Sequence, residues 1–465
     1  MISIPVCAED EPAYPPLSAQ PQIETVHPEW GGRIQRTMRL LATSTPDHRN
    51  KVRILFYGQS TTGSRYSCLI EKWLREQYPY ADLEVENRAI GGYDAKLLCR
   101  TAESDLYPYY PDLLVFGVCG DHHRYEEIIF NTRQRTSAEV MIVSFHWRAI
   151  EFQEGQYELS KWETFMDSFL GRLSEKYGCE LVSVHEPWRE YLMRNNLTPQ
   201  DLLIDDVHPN PHGKWLFAEL CKRQMIYRPG MTAAGTDALA KDYLIGIDVQ
   251  WRNGKLELEF EGNRVDWISK AGPGGGASVR VLVDGKRPGE LRDLFAFSRP
   301  TSLVNPSEWP AIGRISARNV PVEEEWRAEI TDVDQQNNVV KFRVIGSVTG
   351  EDGEGASDTD FVSKSGRVVI EAFDWQIYPK RIKSYASGMT IRWKCFPMHR
   401  NIFHPSIQLD DLRENATILL QGLPNGKHRI ELVSDGGETP PISAIRVYRP
   451  PLPAGEFRTM GYDPD

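Results

Sequence analysis

The chain has 465 residues, 40% of them hydrophobic and 26% charged, enough for about two to four globular domains with buried cores. Its formal net charge of −11 argues against nucleic acid or an anionic membrane as partner, because both reward basic patches. No apolar run approaches the ~18 residues that span a bilayer, and MISIPVCAEDEPAYPP lacks the basic and apolar regions of a secretory signal, so the compartment stays unassigned.

Residues 1–50 read as a Pro-rich, acidic extension followed by a short helix in GGRIQRTMRLLATST (31–45). From 51 to 230 strands alternate with helices. VRILFYG (52–58), LEVENRAIGG (83–92), PDLLVFGVCG (111–120), AEVMIVSFHW (138–147) and CELVSVHEPW (179–188) read as strands. The segments 64–79, 125–136, 159–178 and 210–227 read as helices, the third ending at a glycine cap. The alternation predicts a parallel sheet covered on both faces, with ligands beyond the carboxyl ends of its strands. Ser60, Gly92, Asp121 and His146 fall at or just after such ends. A linker is expected over 231–243. From 244 to 450 the pattern is alternation and Gly, Asn and Asp turns, including an Asn-Gly hairpin signal, which predicts an antiparallel β-sandwich. Residues 451–465 read as a tail.

Three stretches carry side chains suited to chemistry. In GQSTTG, Ser60 follows a buried strand; it is either a nucleophile or the cap of the next helix. The spacing is not the GxSxG elbow, since Gly63 falls one residue late. In DLLIDDVHPNPHGK (201–214), Asp205 and His208 are separated by two residues. A carboxylate at that spacing can fix one imidazole nitrogen and leave the other as a base toward a hydroxyl. The plainer alternative is a loop in which Asp206 or Asn210 caps the next helix. In NRAIGGYDA (87–95), Gly91 and Gly92 either present backbone N–H groups to a developing oxyanion or simply form a tight turn.

The order of these pieces resembles the SGNH/GDSL hydrolase family. VRILFYGQST is similar to its first block with Gln59 in place of Asp, VENRAIGG to its second, and LIDDVHPNPHG to its last. The resemblance covers about 52–227 and is most specific in the last block. It implies a flavodoxin-like three-layer α/β/α domain and ester hydrolysis. Ser60 would be the nucleophile, His208 the base and Asp205 its orienter, with Ser60 and Gly92 supplying oxyanion N–H groups. No metal or organic cofactor is implied. An attached β-sandwich is similar to the layout of carbohydrate esterases that remove acetyl groups, so the expected partner is a carbohydrate or small ester.

The third block departs from the family's GxND. Counted without gaps from PDLLV, Asp121 takes the place of the oxyanion Asn, and an ionised Asp cannot donate to an oxyanion. Three readings are open: a protonated Asp121 donates, Gly120 N–H replaces it, or the chemistry is glycoside cleavage using Asp121 with Asp205. A non-catalytic carbohydrate-binding protein is a further alternative. Gln59, Gly120, His122, His146 and Trp147 are taken as substrate contacts, Trp147 by stacking on a sugar or else as a half-buried residue. His122, His123 and Arg124 lack metal-ligand spacing. Cys119 and Cys221 read as core residues. Trp251, Trp326 and Trp393 read as core, Trp309 as a contact residue in a Pro-rich loop, and the acidic GEDGEGASDTD (350–360) as a solvated loop.

Overall fold

The structure is a computed structural model. It describes residues 14–17, 29–148, 161–231, 238–270, 278–303, 309–405, 412, 414–435 and 440–461, with the side chains of 161–165 outside that description. Residues 1–13 and 18–28 of the expected N-terminal extension and 232–237 of the expected linker therefore lie outside the described residues.

The first half is an α/β layer structure. Strands β1 (Lys51–Gly58), β2 (Asp82–Asn87), β3 (Leu113–Gly117), β4 (Glu139–Val143) and β5 (Glu180–Val182) form a parallel sheet in the order β2-β1-β3-β4-β5. Both faces are buried, which explains why β1 is apolar without alternation. Val52, Ile54 and Phe56 point into one core, Leu55 and Tyr57 into the other. The first core is covered by α1 (Gln35–Ala42), α3 (Tyr66–Gln77), α7 (His185–Arg194), the one-turn α8 (Pro199–Leu202) and α9 (Pro211–Lys222). The second is covered by α4 (Ala95–Asp105), α5 (His122–Arg135) and α6 (Lys161–Tyr177). Between β1 and β3 the strand order reverses, and the crevice beyond their carboxyl ends is where such sheets bind ligands.

Two stretches of this first half differ from the sequence reading. No helix was expected over 95–105, yet α4 forms there behind an N-cap, Asp94, whose carboxylate accepts the Leu97 N–H. The expected strand 179–188 is a three-residue strand that gives way at His185 to α7. Pro187 sits in the first turn of that helix, where its missing N–H costs nothing.

The second half contains antiparallel sheets, as the alternation indicated. Strands β6 (Ala240–Leu244), β7 (Lys255–Ser269), β8 (Val279–Val283), β16 (Ile402–Phe403), β17 (Ala416–Ser434) and β18 (Ile442–Tyr448) form one of them in the order β16-β8-β17-β7-β18-β6, dominated by β7 and β17. Its β6 overlaps the end of the expected linker, at 240–243. Strands β9 (Phe295–Phe297), β10 (Glu324–Asp334), β11 (Val339–Gly346), β12 (Gly350–Ala356) and β15 (Thr390–Pro397), from the chain between β8 and β16, form a second sheet in the order β12-β11-β10-β15-β9. The two sheets have separate apolar cores. The Asn253–Gly254 turn has both residues at positive φ, as a type I′ hairpin requires. Trp326 and Trp393 face each other in register within the second core, while Trp251 is only partly buried. The stretch expected as a solvated acidic loop is in part a strand, β12 (Gly350–Ala356), paired with β11 (Val339–Gly346).

Several contacts tie the halves together. Tyr110 donates to Asn263, whose amide donates to the Arg135 carbonyl. Arg299 pairs with the buried Asp105 at 2.7 Å. The segment 452–460 runs back over α5, where Met460 N–H and the Thr459 hydroxyl bond Glu126. Among the described residues no helix is long and apolar enough to cross a membrane.

Candidate active site

Ser60 opens the one-turn helix α2 (Ser60–Gly63), immediately past β1. The turn there is tight because Gly58 and Gly117 are paired at the ends of β1 and β3. A Cβ on Gly58 would lie 2.2 Å from the Gly117 carbonyl oxygen, so only glycine fits.

Cys119, two residues past Gly117, is no plain core residue. It is half-buried, and its thiol donates to Gln59 Oε1 at 2.9 Å. Burial, reinforced by the charge of Asp94, pushes its pKa up and keeps the S–H protonated. Gln59 is buried and engaged with this thiol, which does not suit it to substrate contact. Cys221 is buried, as expected.

The loop 203–210 brings the other two side chains to Ser60. It is closed by the Ile204 N–H on the His208 carbonyl and by the pairing of Leu203 with Pro209. Asn210 then caps α9, accepting from Gly213 N–H, with Pro211 in the first turn. Of the two caps considered, Asn210 and not Asp206 serves α9. Asp205 Oδ1 accepts the N–H groups of Val207 (2.8 Å) and His208 (2.7 Å), and Oδ2 lies 2.8 Å from His208 Nδ1. His208 Nε2 lies 2.9 Å from Ser60 Oγ. The backbone and imidazole bonds to Asp205, His208 N–H first among them, hold its carboxyl down at about 2 although it is solvent-exposed. A permanently charged carboxylate on Nδ1 selects the tautomer whose Nε2 accepts a proton.

Gly91 and Gly92 are the central residues of a turn closed by Tyr93 N–H on the Ile90 carbonyl. Gly92 has φ +77°, and among the described residues its N–H meets no acceptor. The turn borders Ser60: a Cβ on Gly91 would touch Ser60 Cβ at 3.8 Å.

The remaining expected site residues are placed otherwise. Asp121 is exposed and caps α5, its Oδ1 accepting Arg124 N–H at 3.0 Å. That carboxylate is committed to its own helix, which takes it out of the oxyanion-donor role. Gly120 is half-buried in the turn just before it. His122 packs against α6, beside Met166 and edge-on to Phe169. Trp147 is fully buried in the first core and cannot stack on a sugar. His146 is 2% exposed and makes no substrate surface. Its Nε2–H donates to the Val207 carbonyl at 2.7 Å, bracing the loop that carries Asp205 and His208. Burial drives the His146 pKa down to about 3, so the ring is neutral. At the end of a buried strand, an inward side chain and an outward one look alike in sequence.

Trp309 reaches this site from the second half of the chain. Its Nε1–H donates to the Gly91 carbonyl at 2.7 Å, and its ring meets Tyr93 and Tyr378 edge-on, with Arg381 over its face. Its Pro-rich loop was the only sequence signal. Among the described residues no group of three or more His, Cys, Asp or Glu could hold a metal ion.

No family model matches the chain, and no curated protein matches it. Solved structures similar to it include a two-domain esterase (CEX) active on acetylated mannans, at 12% identity and TM-score 0.34, covering 90% of this chain and 95% of that one. Axe2, an acetylxylan esterase from Geobacillus stearothermophilus, is similar at 17% identity and TM-score 0.34, over 40% of this chain and 98% of that one. The acetyl xylan esterase AlAXEase is similar at 19% identity and TM-score 0.33, over 38% and 100%. At such identities and scores the chemistry has to be read from the chain's own residues.

Proposed function

We propose that the protein is a serine esterase that removes an acetyl or other small acyl group from a carbohydrate. The observation that carries the hydrolytic part is the unbroken relay from Asp205 Oδ2 through His208 to Ser60 Oγ, at 2.8 and 2.9 Å, at the switch point of the sheet. Ser60 Oγ attacks the ester carbonyl carbon while His208 Nε2 takes its proton. The tetrahedral oxyanion is met by the N–H groups of Ser60 and Gly92. His208 returns the proton to the departing sugar hydroxyl, leaving an acyl-Ser60. Water then repeats the sequence in reverse, with His208 again as base, and frees the acid.

The carbohydrate part rests on the family resemblance and on the aromatic wall of Trp309 and Tyr378 beside the site. The glycosidase alternative loses the carboxylate that motivated it, since Asp121 serves as a helix cap. Hydrolysis of 4-nitrophenyl acetate and of an acetylated xylo- or manno-oligosaccharide tests the proposal. Wild type should release acetate from both, and Ser60→Ala should release none above background. Equal turnover by the variant refutes it.

A further inference from the structure

The turn Ile90–Tyr93 has glycine at both central positions. Types I and II of such a turn differ by a flip of the central peptide, here the one joining Gly91 to Gly92. Two glycines let either form exist without steric cost. The turn alone therefore does not decide which way the Gly92 N–H points, and in the proposed reaction that N–H has to face the oxyanion.

The observed form has Gly92 at φ +77°, the type II geometry. In a trans peptide the carbonyl and the N–H lie on opposite edges of one plane. The carbonyl edge of this plane is held by Trp309 Nε1–H at 2.7 Å. The indole fits because Gly92 has no side chain: a Cβ there would lie 2.8 Å from Trp309 Cζ2. The indole is itself held by Tyr93, Tyr378 and Arg381. Tyr93, which closes the turn, donates its hydroxyl to Gln376 at 2.6 Å, a second tie from the same module.

We infer that Trp309, a residue of the C-terminal β module, is a positioning residue for the oxyanion hole: its indole N–H locks the Gly91–Gly92 peptide with the Gly92 N–H toward Ser60. The inference rests on the esterase reading above. It gives the β module a part in the chemical step that is separate from any sugar binding. Bonding at the carbonyl also polarises the N–H at the other end of the peptide.

The test uses Trp309→Phe in the full chain, which keeps an aromatic ring and removes the donor. With 4-nitrophenyl acetate, kcat should fall about 10- to 100-fold, approaching the loss of one oxyanion donor, while KM and the melting temperature hold. A Tyr378→Leu variant, which only loosens the indole, should lose about 2- to 5-fold in kcat and serves if Trp309→Phe does not fold. An unchanged kcat in the folded variant overturns the inference. So does a rise in KM alone, which would make Trp309 a substrate contact. A wild type that neither turns over nor labels at Ser60 overturns the esterase reading and this inference with it. An active wild type with an indifferent Trp309 overturns the inference alone.

Discussion

Replacing Asp205 by Asn separates the electrostatic role of this side chain from its structural one. Asn Oδ1 can still accept the Val207 and His208 N–H groups that now bond Asp205 at 2.8 and 2.7 Å, so the loop should survive. The other terminus would present an amide N–H2 where Oδ2 now faces His208 Nδ1 at 2.8 Å. Two donors cannot face each other, so the imidazole would switch tautomer and carry its proton on Nε2, against Ser60. A base already protonated at the reacting nitrogen cannot take the serine proton. The expected loss in kcat is about 10³- to 10⁴-fold, or about 4 to 5.5 kcal/mol at 1.36 kcal/mol per decade. The melting temperature should change little, because the exposed side chain keeps its two backbone bonds. Steady-state hydrolysis of 4-nitrophenyl acetate beside a thermal melt reads both quantities. A kcat within tenfold of wild type would refute the tautomer argument.

His146→Phe removes the donor to the Val207 carbonyl, so stability should drop by about 1–3 kcal/mol and kcat should fall through a loosened His208 loop; a denaturant melt and turnover read both. His146 stays neutral in the fold down to about pH 3, whereas the unfolded ring takes up a proton near its ordinary 6.5. The unfolded state binds more protons between those values, so this group's contribution is full above about 6.5 and is lost as pH falls toward 3. Wild-type melting should fall over that range more steeply than that of His146→Phe. Arg299→Leu strips the partner from Asp105, whose pKa burial already raises against the pull of Arg299. The cost should be about 3 kcal/mol near pH 8. It should shrink as pH falls, because burial raises the native carboxyl's pKa and protonation relieves the unpaired charge; a loss that does not shrink on acidification would contradict this.

The parallel sheet was legible because its central strands are apolar on both faces and alternate with helical segments, and the Asp205–His208 pair because short-range spacing fixes it. What escaped the sequence was decided by long-range geometry. The helix over 95–105 mixes Arg, Thr and Glu with Leu and was hidden by the glycine turn before it. Counting from PDLLV puts Asp121 at the oxyanion position, but its carboxylate caps the helix that begins at the next residue and accepts the Arg124 N–H. His146 and Trp147 were placed at the rim by chain position, but both side chains turn inward, one to brace a loop and one to fill a core. Trp309 could be singled out as a loop tryptophan, but nothing within its own segment says that Gly91 lies against it, 218 residues away.

The central claim is that Ser60 is an activated nucleophile. A fluorophosphonate probe followed by intact-mass and peptide analysis tests it without knowledge of the acyl group or the sugar. One probe per chain on Ser60, lost in Ser60→Ala and strongly slowed in His208→Ala, is the predicted result. No adduct on the folded wild type, or an adduct on another residue that persists in Ser60→Ala, would contradict it.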